Sequence, residues 1–414
     1  MLNKLQNDPV FTGWRSRIIF ILMIIMMIAL FFSRVLLSAS MIAFIFLSFL
    51  HLDFKKQIVT FFSSPLLLGM SFLFLLPALS GLWSQNEEEW ITIIRIKLPL
   101  LLMPLAFASP FGLSKKHWQG IIVLFIGLIT AGTIWSMTNY FLDINTVNEN
   151  YLRSQIMITP LENDHVQFSW LVAIAILSGG WLCWRRKEKE NKTSWILLIT
   201  TTWLVIFLHI LAARTGLFSF YLMLFTSALW FIYKKARLIY AGTLLFILIA
   251  LPLMAYFIFP TFHNRVKYFL YDLPYFSKAH YKEGMNDAVR VISVKAGWNV
   301  MNNNPVSGVG FGDILTETKK WYTGNYSQIA ETDKIYPSSE WLIYGAGCGW
   351  PGFIVFTIIM LIPFFYRPPG NKILWFLLNA GIAFTFLFDN GLEVQFGVFI
   401  YSFIVLCWWK WLRS

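Results

Sequence analysis

Two arginines carry the strongest chemical signal in the chain. Arg214 lies in the run H-I-L-A-A-R-T-G-L, where one long apolar block ends and the next begins almost at once. A guanidinium at membrane depth is expensive, so it is a functional candidate by default. Its plainer alternative is a side chain snorkelling to the headgroups, but the tight turn holds Arg214 in place. Arg290 stands on a stretch in which Ala288, Val289, Ile292, Ala296 and Val300 recur at helical spacing. Asn286 or Asp287 can cap the start of that helix, and the run Asn302 to Pro305 ends it. Alone, Arg290 reads as a solvated helix charge. A guanidinium also offers a planar fork that suits phosphate or pyrophosphate oxygens. Two fixed arginines on one side of a membrane suggest a binder of a lipid-linked phosphate.

Groups that could move a proton sit at the same predicted face. Glu340 opens a late apolar block and could act as a general base if burial tunes it; a wet boundary carboxylate is the equal alternative. His165, in E-N-D-H-V-Q-F, sits at another block's mouth, and His263 and His280 lie in a long polar segment. Each could do acid–base work, although a lone histidine is more often a surface or packed residue. Gly308, Gly310 and Gly312 alternate in G-V-G-F-G. They lack the G-x-G-x-x-G spacing of a nucleotide loop, and a turn returning the chain to the membrane is favoured over direct ligand contact. Arg95 and Lys97 either bind anions or pair with Glu87 to Glu89. Asp389, Glu393 and Gln395 form a small polar cluster that helix capping can explain.

The elements that position these residues are membrane spans. Hydrophobic residues make up 57% of the 414 positions and charged residues 13%, where a soluble domain carries about 25% charged. The apolar residues come in blocks of about 20, the length that crosses a bilayer. Such blocks fall near 16–33, 35–52, 61–82, 91–109, 117–140, 166–184, 194–212, 215–233, 237–259, 341–365, 373–388 and 393–411. The expectation is an all-α membrane protein of about twelve transmembrane helices. The net charge of +12 does not signal nucleic acid, because the positive residues sit in short loops. One set of loops is basic: Arg15 and Arg17, Lys55 and Lys56, Lys115 and Lys116, Arg185 to Lys192, Lys234 to Arg237, Lys372, and Lys410 with Arg413. Alternate loops are not. That bias predicts both termini in the cytoplasm. It also predicts one large outward loop, 260–340, carrying helices between the ninth and tenth spans. Cys183, Cys348 and Cys407 include no C-x-x-C, which argues against a disulfide framework or a zinc site; no metal or cofactor is expected.

Three short runs together resemble the O-antigen ligase and O-antigen polymerase superfamily of bacterial envelope proteins. The first is A-A-R-T-G-L at 212–217. The second runs from Arg290 through Trp298 to Pro305, Gly308, Gly310 and Gly312. The third is P-S-S-E-W-L at 337–342, with Gly349 and Gly352 beyond it. The resemblance implies an inner-membrane enzyme whose active face is periplasmic. Its donor would be an undecaprenyl-diphosphate-linked glycan, with Arg214 and Arg290 on the diphosphate. Its acceptor would be a glycolipid, either lipid A–core or another carrier-linked repeat, and a ligase is favoured. The family places a histidine in the third motif, where this chain has Ser338. Serine lacks useful basicity at neutral pH. Either the proton goes to Glu340, His165 or His280, or the chain is a polymerase or a divergent relative, or catalysis leans on electrostatic stabilisation of the leaving diphosphate. A transporter of lipid-linked sugars, the rival of another class, would carry polar groups near the bilayer midplane, and charges within the spans are scarce.

Overall fold

The computed structural model describes residues 9–413, apart from 52, 154, 187–191, 235–237, 279–285, 367 and 369. His280, Lys187, Lys189, Lys235 and Arg237 lie outside the described residues, and so do the side chains of Asn286 and Asp287. Among the described residues the regular secondary structure is helical, with no strands. It runs α1 (Pro9–Phe32), α2 (Arg34–Phe49), α3 (Phe54–Phe62), α4 (Pro65–Ser80), α5 (Glu87–Lys97), α6 (Pro99–Phe107), α7 (Lys115–Leu142), α8 (Ile144–Tyr151) and α9 (His165–Arg186). It continues with α10 (Lys192–Leu211), α11 (Arg214–Tyr233), α12 (Leu238–Ile258), α13 (Pro260–Lys278), α14 (Asn286–Asn303), α15 (Ile314–Asn325), α16 (Glu340–Phe365), α17 (Lys372–Phe388) and α18 (Gln395–Arg413).

Every predicted apolar block coincides with helix, but not every one is a plain span. Among the described residues nine helices are long and apolar enough to cross a membrane, and ten if α2 and α3 count as one span bent by 109°. The block at 61–82 yields only the 16 residues of α4, because the chain turns at Ser63–Ser64 and restarts at Pro65. The block at 373–388 is the 17-residue α17. Hydrophobicity alone cannot see such breaks; a proline at a helix start, with no N–H to donate, fixes them locally. The segment 260–340 holds α13, α14 and α15, none of which is a candidate span.

A kink in α16 organises the late half of the fold. Cys348 (φ −131°) and Gly349 (φ +67°) leave helical geometry in mid-span. Pro351 has no N–H, so Gly347 O loses its normal partner four residues on. The glycine loop supplies the replacement: Gly310 N–H donates to Gly347 O (3.0 Å) and Val309 N–H to Ala346 O (2.9 Å). In return Trp350 N–H donates to Pro305 O at 2.9 Å. Non-helical backbone at membrane depth survives only when protein satisfies it in this way.

Candidate functional site

Four elements deliver charge to one place. His165 opens α9, Arg214 opens α11, Arg265 rides on α13 and Arg290 on α14. Arg290, Arg265 and Arg214 all act electrostatically on His165. Asp164, just before α9, lies in the field of Arg290. Asp389, which follows α17, lies in the fields of Arg290 and Asp164. Among the described residues Arg290 has no carboxylate within 4 Å. Arg214 also lies 5.8 Å from the centre of the Phe269 ring.

The two turns that present these groups are strained. Among the described residues, the non-glycine residues with left-handed backbone are Leu161 (φ 62°), Glu162 (φ 56°), Asn163 (φ 68°) and Ala212 (φ 48°). The first three lead into Asp164 and His165, and Ala212 leads into Arg214. Each such residue costs roughly 1–3 kcal/mol and persists only where its surroundings hold it. Here local bonds do the holding. Asn163 Oδ1 accepts from Thr159 N–H at 3.0 Å, and Asp164 Oδ1 accepts from Gln167 N–H at 2.9 Å. The buried Tyr151 hydroxyl donates to Leu211 O at 2.9 Å. Gly216 N–H donates to Ser169 Oγ at 3.1 Å, and a Cβ on Gly216 would stand 2.6 Å from Ser169 O. Helices α9 and α11 thus meet closely just below Arg214.

The two carboxylates differ from exposed ones. Burial pushes the Asp389 carboxyl up to about 6, against the opposing pull of Arg290. Burial also raises Asp164, while N–H donors at Gln167 and Val166 and the charge of Arg290 draw it back.

Glu340 belongs to a second, deeper layer. It is fully buried, and its Oε1 accepts from Leu392 N–H at 2.6 Å. Lys97, equally buried, donates to Glu393 Oε1 (2.6 Å) and Leu392 O (3.1 Å). Lys97 therefore pairs with Glu393 and not with Glu87 to Glu89. The turn 389–393 joins the layers, with Asp389 in the field of Arg290 and Leu392–Glu393 bonded to Lys97 and Glu340. Glu340 Oε2 has no hydrogen-bond partner among the described residues.

The other sequence candidates have structural surroundings. Ser338 N–H donates to Ser293 Oγ (3.0 Å), and Ser293 Oγ donates to Ser338 Oγ (2.9 Å), one turn from Arg290. This strap and the contact of Gly297 with Pro337 fix α14 against the start of α16. Gly308, Gly310 and Gly312 face protein: an added Cβ would stand 2.4 Å from Cys348 N, 2.8 Å from Ser84 Oγ and 2.3 Å from Asn86 O respectively. Asp313 holds the same loop by accepting from the N–H groups of Gln85 (2.6 Å) and Asn86 (3.2 Å). Pro305 is exposed apart from its carbonyl bond, and Trp298 packs edge-on to Trp350 at 5.8 Å. His263 rests against Tyr256, with ring centres 4.5 Å apart.

Sequence reasoning missed Arg265 as a third member of the cationic group. The available signal was Arg265, Tyr268 and Asp272 at helical spacing on one face of α13. Three guanidinium groups, an imidazole, the buried Asp389 and the half-buried Asp164 suit one kind of chemistry: holding a dianionic group while a proton moves nearby. The O-antigen ligase family model matches residues 197–357. That stretch contains Arg214, Arg265, Arg290, Ser338 and Glu340, whereas His165 and Asp389 lie outside it. No curated protein matches the chain.

Proposed function

We propose that this chain, whose residues 197–357 form an O-antigen ligase family domain, transfers a glycan from an undecaprenyl-diphosphate carrier to a hydroxyl of lipid A–core. The observation that carries this reading is the convergence of Arg214, Arg265 and Arg290 on His165. The acceptor oxygen attacks the anomeric carbon of the carrier-linked sugar, and a new C–O bond forms. The bond from that carbon to the diphosphate breaks, and its electron pair leaves with the diphosphate. The negative charge growing there is what the arginines meet, and preorganised charge of this kind lowers a barrier most. The acceptor's hydroxyl proton passes to the ring of His165, a residue type that serves as a general base when neutral. Glu340 and Ser338, held in the protein as described, set the position of the 389–393 turn and of α14. The active face is periplasmic, both termini are cytoplasmic, and membrane lipids surround the bundle.

A polymerase joining carrier-linked repeats is the second reading, favoured by Ser338 at the family's histidine position. An envelope-glycolipid gel separates the two. Cells lacking the protein are compared with cells rescued by wild type, Arg214→Ala or Arg290→Ala. Long carrier-linked chains absent from the core mark a ligase, and single repeats on the core mark a polymerase. An unchanged core ladder sinks both. Either arginine variant should fail to rescue while remaining in the membrane.

A further inference from the structure

A cavity of about 740 Å³ lies within the bundle, away from the arginines. Its walls come from α9 (Ala173 to Trp184), α10 (Thr201 to Val205), α11 (Phe220 to Phe231), α12 (Tyr240 to Leu251) and the start of α17. On α9 the lining begins eight residues after His165, which is about 12 Å along the helix. It continues to the far end of that helix. The volume is in the range of a site for a substantial ligand, about 300–1,000 Å³. Most of the lining is apolar, and α12, the outer wall, has only 11% of its apolar window buried.

The far rim is different in chemistry. Trp184, Phe231 and Tyr240 form a ring cluster there, with centroids 5.8, 5.2 and 5.9 Å apart. Rings of this kind mark the boundary between hydrocarbon and headgroup. Lys234 Nζ lies 5.1 Å from the ring centre of Trp230, which lines the cavity. Arg185 follows the lining residue Trp184, and Lys372 follows the lining residue Asn371. Asn371, which also lines the chamber, caps α17: its Oδ1 accepts from the N–H groups of Ile373 (3.2 Å) and Leu374 (3.5 Å). Lys234 thus stands at this end of the apolar chamber, and Arg185 and Lys372 each neighbour a lining residue in the chain.

We propose that the chamber holds the acyl chains of an anionic phospholipid, whose phosphate meets the rim formed by Arg185, Lys234 and Lys372. The apolar walls take the chains, and the rim selects negative charge. On the proposed function, glycan transfer occurs at the opposite end of α9 and α11, and the chamber is assigned as a second lipid site. By the loop-charge bias it opens to the cytoplasmic leaflet, where anionic lipid attracts basic residues.

The test uses the full-length protein, delipidated and mixed with vesicles of defined composition. The vesicles are phosphatidylglycerol, phosphatidylcholine with the same chains, or phosphatidylglycerol doped with undecaprenyl phosphate. Native mass spectrometry counts the retained lipid. The expected result is retention of phosphatidylglycerol over phosphatidylcholine by roughly tenfold or more. The double variant Lys234→Glu/Lys372→Glu should erase that preference. Ile247→Trp, which narrows the chamber with the charges intact, should weaken lipid retention; Leu244→Phe serves if that variant does not accumulate. Equal retention of the two phospholipids overturns the proposal, as does a preference that survives charge reversal. Displacement of phosphatidylglycerol by undecaprenyl phosphate also overturns it, because the chamber would then belong to a carrier tail.

Discussion

Arg290 stands in the fields of Asp164 and Asp389 without closing an ion pair on either. Such an arginine keeps its fork available, and on the proposed function a diphosphate would supply its acceptors. Arg265→Ala should therefore reduce transfer as Arg214→Ala does, measured as core-linked glycan per unit of membrane protein. Asp389 gives a sharper expectation. Its carboxyl is raised to about 6 in the folded chain from 3.8. A carboxyl raised by folding makes its ionised form costly: the penalty is absent below pH 4, grows as pH rises, and is complete above about pH 6. The difference corresponds to on the order of 3 kcal/mol. Asp389→Asn should thus raise the thermal midpoint at pH 8, with the gain vanishing near pH 4, and should lower transfer. A midpoint that falls at pH 8 would refute that view of Asp389. Arg214, Arg290 and His165 were legible in the sequence because each sits at a block boundary or on a clear helix. The grouping with Arg265 and Asp389 was not legible, since it joins residues from 164 to 389 that only packing brings together.

At the scale of elements, the glycine loop and the kinked α16 form one unit. Pro351 removes a donor, and the loop gives two back. Gly308 has φ +67° and backbone atoms 2.4 Å from where a Cβ would lie. Gly308→Ala should lower stability by more than about 1 kcal/mol and weaken transfer through α14 and α16. Gly127 sits within α7 with nothing within 4 Å of an added Cβ. Gly127→Ala should be neutral or stabilising by about 0.5–1 kcal/mol. Comparable thermal midpoints for the two variants would mean that the loop does not support the kink. The sequence marked both halves of this unit, as a turn at Gly308 to Gly312 and as the glycines at 349 and 352. It could not reveal the pairing, because the partners are about forty residues apart and their bonds run backbone to backbone.

For the whole molecule, apolar blocks announced an all-helical membrane protein, and every block proved helical. The number of plain crossings was not readable, because a bend of 109° and two short helices look the same as spans to a hydropathy count. Orientation rests on loop charge, and it has a direct check. Asn302→Cys, exposed at the end of α14, should react with an impermeant thiol reagent added outside intact cells. A cysteine replacing Lys115 should not react. Labelling in the reverse sense would invert the topology and move the arginine mouth to the cytoplasm. The most direct test of the central claim is turnover by the purified protein in vesicles, given a polyprenyl-diphosphate glycan and lipid A–core. Arg290→Ala should slow transfer roughly 10²- to 10³-fold, the usual loss when one charge-stabilising donor is removed, while Arg290→Lys keeps part of the rate. Wild-type turnover by Arg290→Ala would contradict a diphosphate held at this mouth.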